Sequence, residues 1–340
     1  MKPKSPDKKN LRNGWTTGIC AAAAAKAATI ALWTQQGLAS VEVTLPIHKK
    51  HIFAVAHCEF TPASATCVVI KDAGDDPDCT HGAHLTASVS WSDEVGQITL
   101  EGGAGVALVT KTGLGLEVGR SAINPVPFKN ITEMVREGAG DGLNNKGLRV
   151  VISVPGGETM SERTQNARLG LVGGISILGT SGIVRPYSSA ASKVSIAQGM
   201  DVAVGEGLST VVLTTGGKSE DYLMRLTGLP QSAYVQMGDF AGFSLKRAAK
   251  SGIKKVIIGG MPGKLSKIAM GKMQTHAAGG QVDLGFLAEI AREAGAFPEI
   301  IQMIAEANTA RHVQEIVEQH QVRGFWDIVA LKICDVSRKH

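Results

Sequence analysis

Aromatic residues make up only 4% of the 340-residue chain, and no run of Lys or Arg is interleaved with them, which argues against a nucleic-acid-binding surface. The five cysteines, Cys20, Cys58, Cys67, Cys79 and Cys334, form no Cys-x-x-Cys pair, so neither a disulfide framework nor a zinc ribbon is indicated. Reduced thiols in a cytoplasmic protein are expected. Cys79, His81 and His84 lack a fourth ligand at a usual spacing, and no metal centre is expected. Long apolar runs are missing too. The most apolar stretch, residues 19–32, is interrupted by Lys26 and is too short to span a bilayer, so no membrane segment is expected. Gly217-Lys218-Ser219 has Val212 where a P-loop needs its first glycine, and Gly263-Lys264 has Ile258 there. The turn Gly103-Ala104-Gly105 lacks the third glycine of a dinucleotide fingerprint, and no Gly-x-Ser-x-Gly elbow occurs.

What is present is glycine, 41 residues of it, clustered in loops where backbone can approach a ligand. The length exceeds what one core usually fills, so two domains are expected. A net charge of +5 is mild and suits an anionic small-molecule substrate. Homo-oligomerisation is left open.

Residues 1–13 read as a flexible tail. Residues 14–140 read as an α+β N-terminal domain with a largely antiparallel sheet. Thr16 or Thr17 caps an Ala-rich helix over 19–36 that stops at Gly37. Short β-rich runs follow at 41–45, 51–57, 66–70, 85–91 and 97–100, joined too tightly for crossover helices. A linker is expected at 138–147. From 148 to 340 strands at 148–154, 175–178, 210–214, 234–236 and 255–258 alternate with helices, which predicts an α/β Rossmann-like domain with a mostly parallel sheet. The fold class is α/β.

Ligands of such sheets sit at the carboxyl ends of the strands. Four loops of small residues are expected there: Pro155-Gly156-Gly157-Glu158, Gly179-Thr180-Ser181-Gly182, Thr215-Gly216-Gly217-Lys218-Ser219 and Gly259-Gly260-Met261-Pro262-Gly263-Lys264. A second kind of loop stands apart. In VIKDAGDDPDCTHG, Asp72, Asp75, Asp76 and Asp78 crowd His81, and dense polar loops of this kind carry chemistry more often than they merely connect. The neighbouring carboxylates are expected to hold the His81 tautomer and raise its basicity.

Seven segments in order, LRNGWTTGICAAAAAKAA, VIKDAGDDPDCTHG, GGAGVALVTKTGLG, AINPVP, SERTQNARLGLVGGISILGTSGIVRPYS, GDFAGFSLKRA and GKLSKIAMGKMQTHA, resemble the cobalt-precorrin-5B (carbon-1) methyltransferases of cobalamin biosynthesis, the CbiD family. The likeness runs from Leu11 to about Ala277. Met261 and Pro262 stand where family members often have a histidine, and Gly285 where the family pattern has an arginine.

The resemblance implies methyl transfer from S-adenosylmethionine to carbon 1 of a cobalt-corrinoid substrate. For such a reaction, the expected place of the Gly-rich loops on the sheet edge assigns the cofactor to Gly173, Gly174, Gly179, Thr180, Gly216, Gly217 and Ser219. Asp75, Asp76 and His81 are then the catalytic candidates, on a loop facing the macrocycle, its carboxylates serving a ring N–H, a proton transfer or the amine end of the sulfonium donor. Acetate and propionate arms need cationic donors, and Lys71, Lys111, Arg163, Arg168, Arg185 and Lys264 lie in the matched segments. Thr16 and Thr17 offer hydroxyls and helix N–H groups to a propionate, or simply cap the helix. A non-catalytic tetrapyrrole or nucleotide carrier, and a small-molecule phosphotransferase, are the alternative readings.

Overall fold

The computed structural model describes residues 11–276 and 280–340, so residues 1–10 of the expected tail lie outside the described residues. The chain divides into two units, Met1–Ser189 and Ala190–His340.

Unit 1 runs β1 (Gly14–Trp15), α1 (Thr17–Thr34), β2 (Ser40–Thr44), β3 (Lys50–Ala54), β4 (His57–Phe60), β5 (Ser64–Ile70), β6 (His84–Ser92), β7 (Ile98–Gly102), β8 (Gly105–Val106) and β9 (Leu108–Val109). It continues with α2 (Pro125–Ala139), β10 (Gly147–Ser153), α3 (Gly157–Ser161), β11 (Leu171–Val172), β12 (Gly174–Ile175) and β13 (Ile183–Val184). Its main sheet has the order β4-β5-β6-β10-β7 and is antiparallel except where β10 meets β7. Alternation puts Ala65, Cys67 and Val69 of β5, Leu85, Ala87 and Val89 of β6, and Leu148, Val150 and Ile152 of β10 into one core. Against them lies α1, whose alanines are wholly buried, so its backbone comes close to its neighbours. By length and composition this helix could cross a membrane, yet 83% of it is buried within the unit. Thr16 caps it as expected. It ends earlier than Gly37, at Gln35 in the left-handed conformation, whose N–H bonds to Ala31.

The expected linker at 138–147 does not divide the chain. Its second half leads into β10, which pairs with β6 along its whole length and belongs to unit 1, as does the 175–178 segment through β12. The division falls instead after Ser189, at the start of the next helix.

Unit 2 comprises α4 (Ser189–Gly205), β14 (Thr210–Thr214), α5 (Gly217–Thr227), β15 (Tyr234–Gln236), α6 (Ala241–Lys250), β16 (Lys255–Gly259), α7 (Pro262–Ala269), α8 (Leu284–Glu293), α9 (Pro298–Ala305), α10 (Ala310–Gln319) and α11 (Phe325–Lys339). Its sheet has three strands in the order β15-β14-β16, all parallel. Val211 and Leu213 enter one core with α4, α6 and the helices from α7 onward, whereas Val212 and Tyr234 enter another with Leu223 of α5. Helices therefore cover both faces, as a parallel sheet requires.

Candidate functional site

Two places collect the chemistry, one in each unit. In unit 1 the acidic loop is held from behind and below. Lys71 is 1% exposed and its Nζ bonds Asp78 Oδ2 at 2.7 Å, so it is a buried counter-charge and not a rim cation for substrate arms. Burial acts to raise the Asp78 carboxyl, but the Lys71 charge and the hydrogen bonds from Lys71 and Thr80 outweigh it and hold the group below its ordinary value.

Arg12 closes the loop from the other side. Its guanidinium grips Asp72, its backbone N–H donates to Asp75 Oδ2 at 2.6 Å, and its carbonyl accepts from the Asp75 N–H at 3.0 Å. The hydrogen bond from Arg12, followed by that from the Gly74 N–H, lowers the Asp72 carboxyl to about 2. Residues 11–13, expected to be tail, are thus part of the site's frame. Asp76 accepts the Tyr187 N–H through Oδ1 at 2.9 Å. What these contacts leave is an open cleft of about 490 Å³ lined by Asp75, Asp76, Asp78, Cys79, His81 and Arg163, among others. Burial raises the Cys79 thiol, which makes it a poor nucleophile.

His81 lines the cleft, but its ring is held differently from what was expected. Its Nδ1 accepts the backbone N–H of Ala73 at 3.1 Å, so the neutral ring carries its proton on Nε2. That tautomer is set by backbone and not by a carboxylate, since the nearest one, Asp72, is 3.8 Å away. With its lone pair engaged, the ring offers a donor and no free base.

Thr16 and Thr17 are consumed by the fold. Thr16 accepts the Ile19 N–H, Leu178 O accepts the Gly18 N–H, and Thr17 Oγ1 bonds Ser176 O, Leu178 O and the Leu178 N–H. Both threonines are buried, and the bonds of the Thr17 hydroxyl and of the Gly18 and Ile19 N–H groups are made within unit 1, so capping accounts for them. The loop Gly173 to Thr180 belongs to unit 1 and not to the parallel sheet. A Cβ on Gly174 would sit 2.2 Å from the Gly105 carbonyl oxygen, and one on Gly179 would sit 2.4 Å from Thr16 Oγ1. These two glycines are required by close packing; Gly173 and Thr180 are exposed. Lys111 packs along Gly170, Arg168 sits in the single turn before it, and Arg185 is exposed after β13.

In unit 2 the carboxyl edge of the sheet gathers the other set. After β14 the chain turns through Gly216 and Gly217 into α5, and a Cβ on either glycine would meet nothing within 4 Å. Ser219 is buried and donates to Gly216 O at 2.7 Å. Lys264, in the first turn of α7, reaches Thr215 O at 3.2 Å and Asp239 Oδ1 at 3.0 Å, which ties the ends of all three strands together. Burial raises the Asp239 carboxyl, and the hydrogen bond and charge of Lys264 with the Thr275 hydroxyl more than reverse it. Lys264 is therefore neutralised where it stands. The order β15-β14-β16 places the topological switch between β14 and β16. There α5 leaves toward one core and α7 toward the other. Of the four glycine loops expected on one sheet edge, only the two after β14 and β16 are on it.

Asp239, Thr275 and Arg12 lie in the segments that carry the family resemblance, but the sequence assigned them no role. Asp239 was visible only as the acidic residue just after the predicted strand at 234–236. The role of Arg12 gave no local signal, because its partner Asp72 is sixty residues on.

The CbiD family matches residues 4–186, and the family described as the CbiD C-terminal domain matches residues 274–340. A protein of Leptospira interrogans named cobalt-precorrin-5B C(1)-methyltransferase is 52% identical over 96% of this chain and 88% of its own length. Proteins of the same name from Geobacillus kaustophilus and Priestia megaterium are 47% and 46% identical, over 96% and 98% of this chain and 88% and 89% of theirs. A crystal structure of the cobalamin biosynthesis protein cbiD from Archaeoglobus fulgidus aligns with a TM-score of 0.40 and 23% identity, covering 92% of this chain and 85% of that one. On the family match and on relatives this similar along almost their whole length, the chain belongs to the CbiD family.

Proposed function

We propose that this protein transfers a methyl group to carbon 1 of cobalt-precorrin-5B, with S-adenosylmethionine as the donor. The observation that supports this most is the relatives' shared name at about half identity over nearly all of the chain. When bound, the donor supplies a sulfonium-activated methyl; the ring carbon forms a bond to it as the carbon–sulfur bond breaks, and S-adenosylhomocysteine leaves.

We assign the donor to the β14–β16 edge of unit 2. Gly216 and Gly217 leave open space beside their backbone, and the first N–H groups of α5 point out of the sheet edge toward a donor carboxylate. Of the seven cofactor residues expected from the sequence, Gly216, Gly217 and Ser219 stay in this proposal. We assign the macrocycle to the unit 1 cleft, where Arg163 offers charge to carboxylate arms and the Nε2–H of His81 a directed donor. Asp75 and Asp76, each with one oxygen fixed by a backbone N–H, keep a second oxygen for a ring N–H. The residues contribute positioning more than proton transfer.

The test is turnover. Purified protein given reduced cobalt-precorrin-5B and methyl-labelled S-adenosylmethionine is expected to release a labelled corrinoid with one equivalent of S-adenosylhomocysteine. Corrinoid binding without any donor consumption would instead favour a carrier.

A further inference from the structure

The switch between β14 and β16 opens into a groove of about 560 Å³ within unit 2. One wall is α5, where Lys218, Tyr222 and Arg225 recur at helical spacing with Asp221 beside them; the other is Gly259, Gly260, Met261 and Leu265, from the end of β16 into α7. Tyr222 is 64% exposed and Met261 55% exposed. Both side chains line the same groove, so an aromatic face and a thioether are presented together to whatever occupies it.

We infer that this groove holds the purine of the methyl donor and that Tyr222 is the residue that recognises it. This rests on the assignment of the donor to the β14–β16 edge. The volume suits a nucleoside. A purine is a flat, apolar-faced ring, and an aromatic face with a polarizable thioether opposite gives it two surfaces to lie between. The glycines at 259 and 260 keep the floor free of side chains. A Cβ on Gly259 would run into Leu223 and one on Gly260 into Thr215, so a larger residue at either position would have to displace its neighbour. Asp221 stands on the rim, where a carboxylate accepts from ribose hydroxyls. The rim charges Lys218 and Arg225 are of the sign that would equally take a phosphate, so the chemistry to be separated is a nucleoside from a nucleotide.

The experiment is calorimetric titration of the full chain with S-adenosylhomocysteine, adenosine and ADP, on wild type and on Tyr222→Ala, Tyr222→Phe and Tyr222→Trp. Wild type is expected to bind S-adenosylhomocysteine. Loss of a base-stacking ring typically weakens binding by about tenfold or more. Tyr222→Ala is expected to show that loss for both S-adenosylhomocysteine and adenosine, with Tyr222→Phe within twofold of wild type and Tyr222→Trp at least as tight. In turnover the alanine variant is expected to raise KM for S-adenosylmethionine about tenfold while kcat, the corrinoid KM and the melting temperature stay within error. Tyr222→Ala binding as tightly as wild type overturns the inference and leaves the donor assignment standing. Tyr222→Phe as weak as Tyr222→Ala overturns stacking as the means of recognition. ADP binding tighter than S-adenosylhomocysteine overturns it in favour of a nucleotide. No binding of S-adenosylhomocysteine by wild type removes the donor assignment and the inference together.

Discussion

The Nδ1 atom of His81 accepts the backbone N–H of Ala73 at 3.1 Å, and that single bond decides what the imidazole can do. A ring whose Nδ1 lone pair is engaged presents Nε2–H outward, as a donor. Histidine acting as a base and histidine acting as a donor make different predictions. Replacements without a titratable ring separate them: glutamine keeps an N–H but cannot titrate. The bond between Tyr187 and Asp76 does not involve the ring. We expect His81→Ala to lower kcat/KM about tenfold to a hundredfold, the usual worth of a hydrogen bond to a charged group. His81→Gln is expected to recover most of it. Equal losses in both variants, with the acidic limb of the pH–rate profile gone, would restore the general base.

Glycines that look alike in the sequence are expected to part company on substitution. Gly174→Ala puts a Cβ against the Gly105 carbonyl and is expected to leave unit 1 destabilised by several kcal/mol, on the order of other severe packing defects, read as a lowered melting temperature. Gly217→Val meets open space and is expected to fold normally. Its side chain occupies the approach of the donor, so KM for S-adenosylmethionine is expected to rise about tenfold, and a variant with wild-type kinetics would count against the assignment.

Breaking the buried pair of Lys71 and Asp78 is expected to be expensive. Lys71→Met leaves a half-buried carboxylate without its counter-charge, a change that costs about 3–5 kcal/mol in comparable sites. Urea denaturation measures it. The double variant Lys71→Met with Asp78→Leu removes both charges and is expected to regain much of the loss. If Lys71 instead served the substrate, the single variant would raise the corrinoid KM with stability unchanged.

Acid should loosen the loop in a defined window. The folded Asp72 carboxyl titrates at about 2, below its ordinary 3.8, because Arg12 bonds it. Its ionised form therefore stabilises the fold above about pH 4, and that contribution fades as pH falls toward 2. A carbon-13 NMR titration is expected to place Asp72 near 2 in the wild type and clearly higher in Arg12→Ala, short of its ordinary value because the Gly74 N–H still bonds it. An unmoved value in the variant would detach Arg12 from the loop.

The strand at 234–236 and the helix after Thr16 were readable because local periodicity and capping define them. The place of residues 147–153 was not. Leu148, Val150 and Ile152 alternate as any strand does, and only their meeting with β6, more than fifty residues earlier, assigns them to unit 1. The same limit applied to the site. Charge density marked the acidic loop, yet which glycine lies open and which is packed depends on partners such as Gly105 and Thr16 that no local pattern reveals. Thr17 read as a ligand because its bonds to Ser176 and Leu178 are equally remote in sequence.

The donor site is tested most directly by a crystal of the full chain with S-adenosylhomocysteine. Density is expected along Gly216, Gly217 and Ser219, with the amino-acid end at the start of α5 and the purine beside Tyr222. Density at Gly173 to Thr180 in unit 1 instead, with the β14–β16 edge empty at saturating ligand, would contradict it.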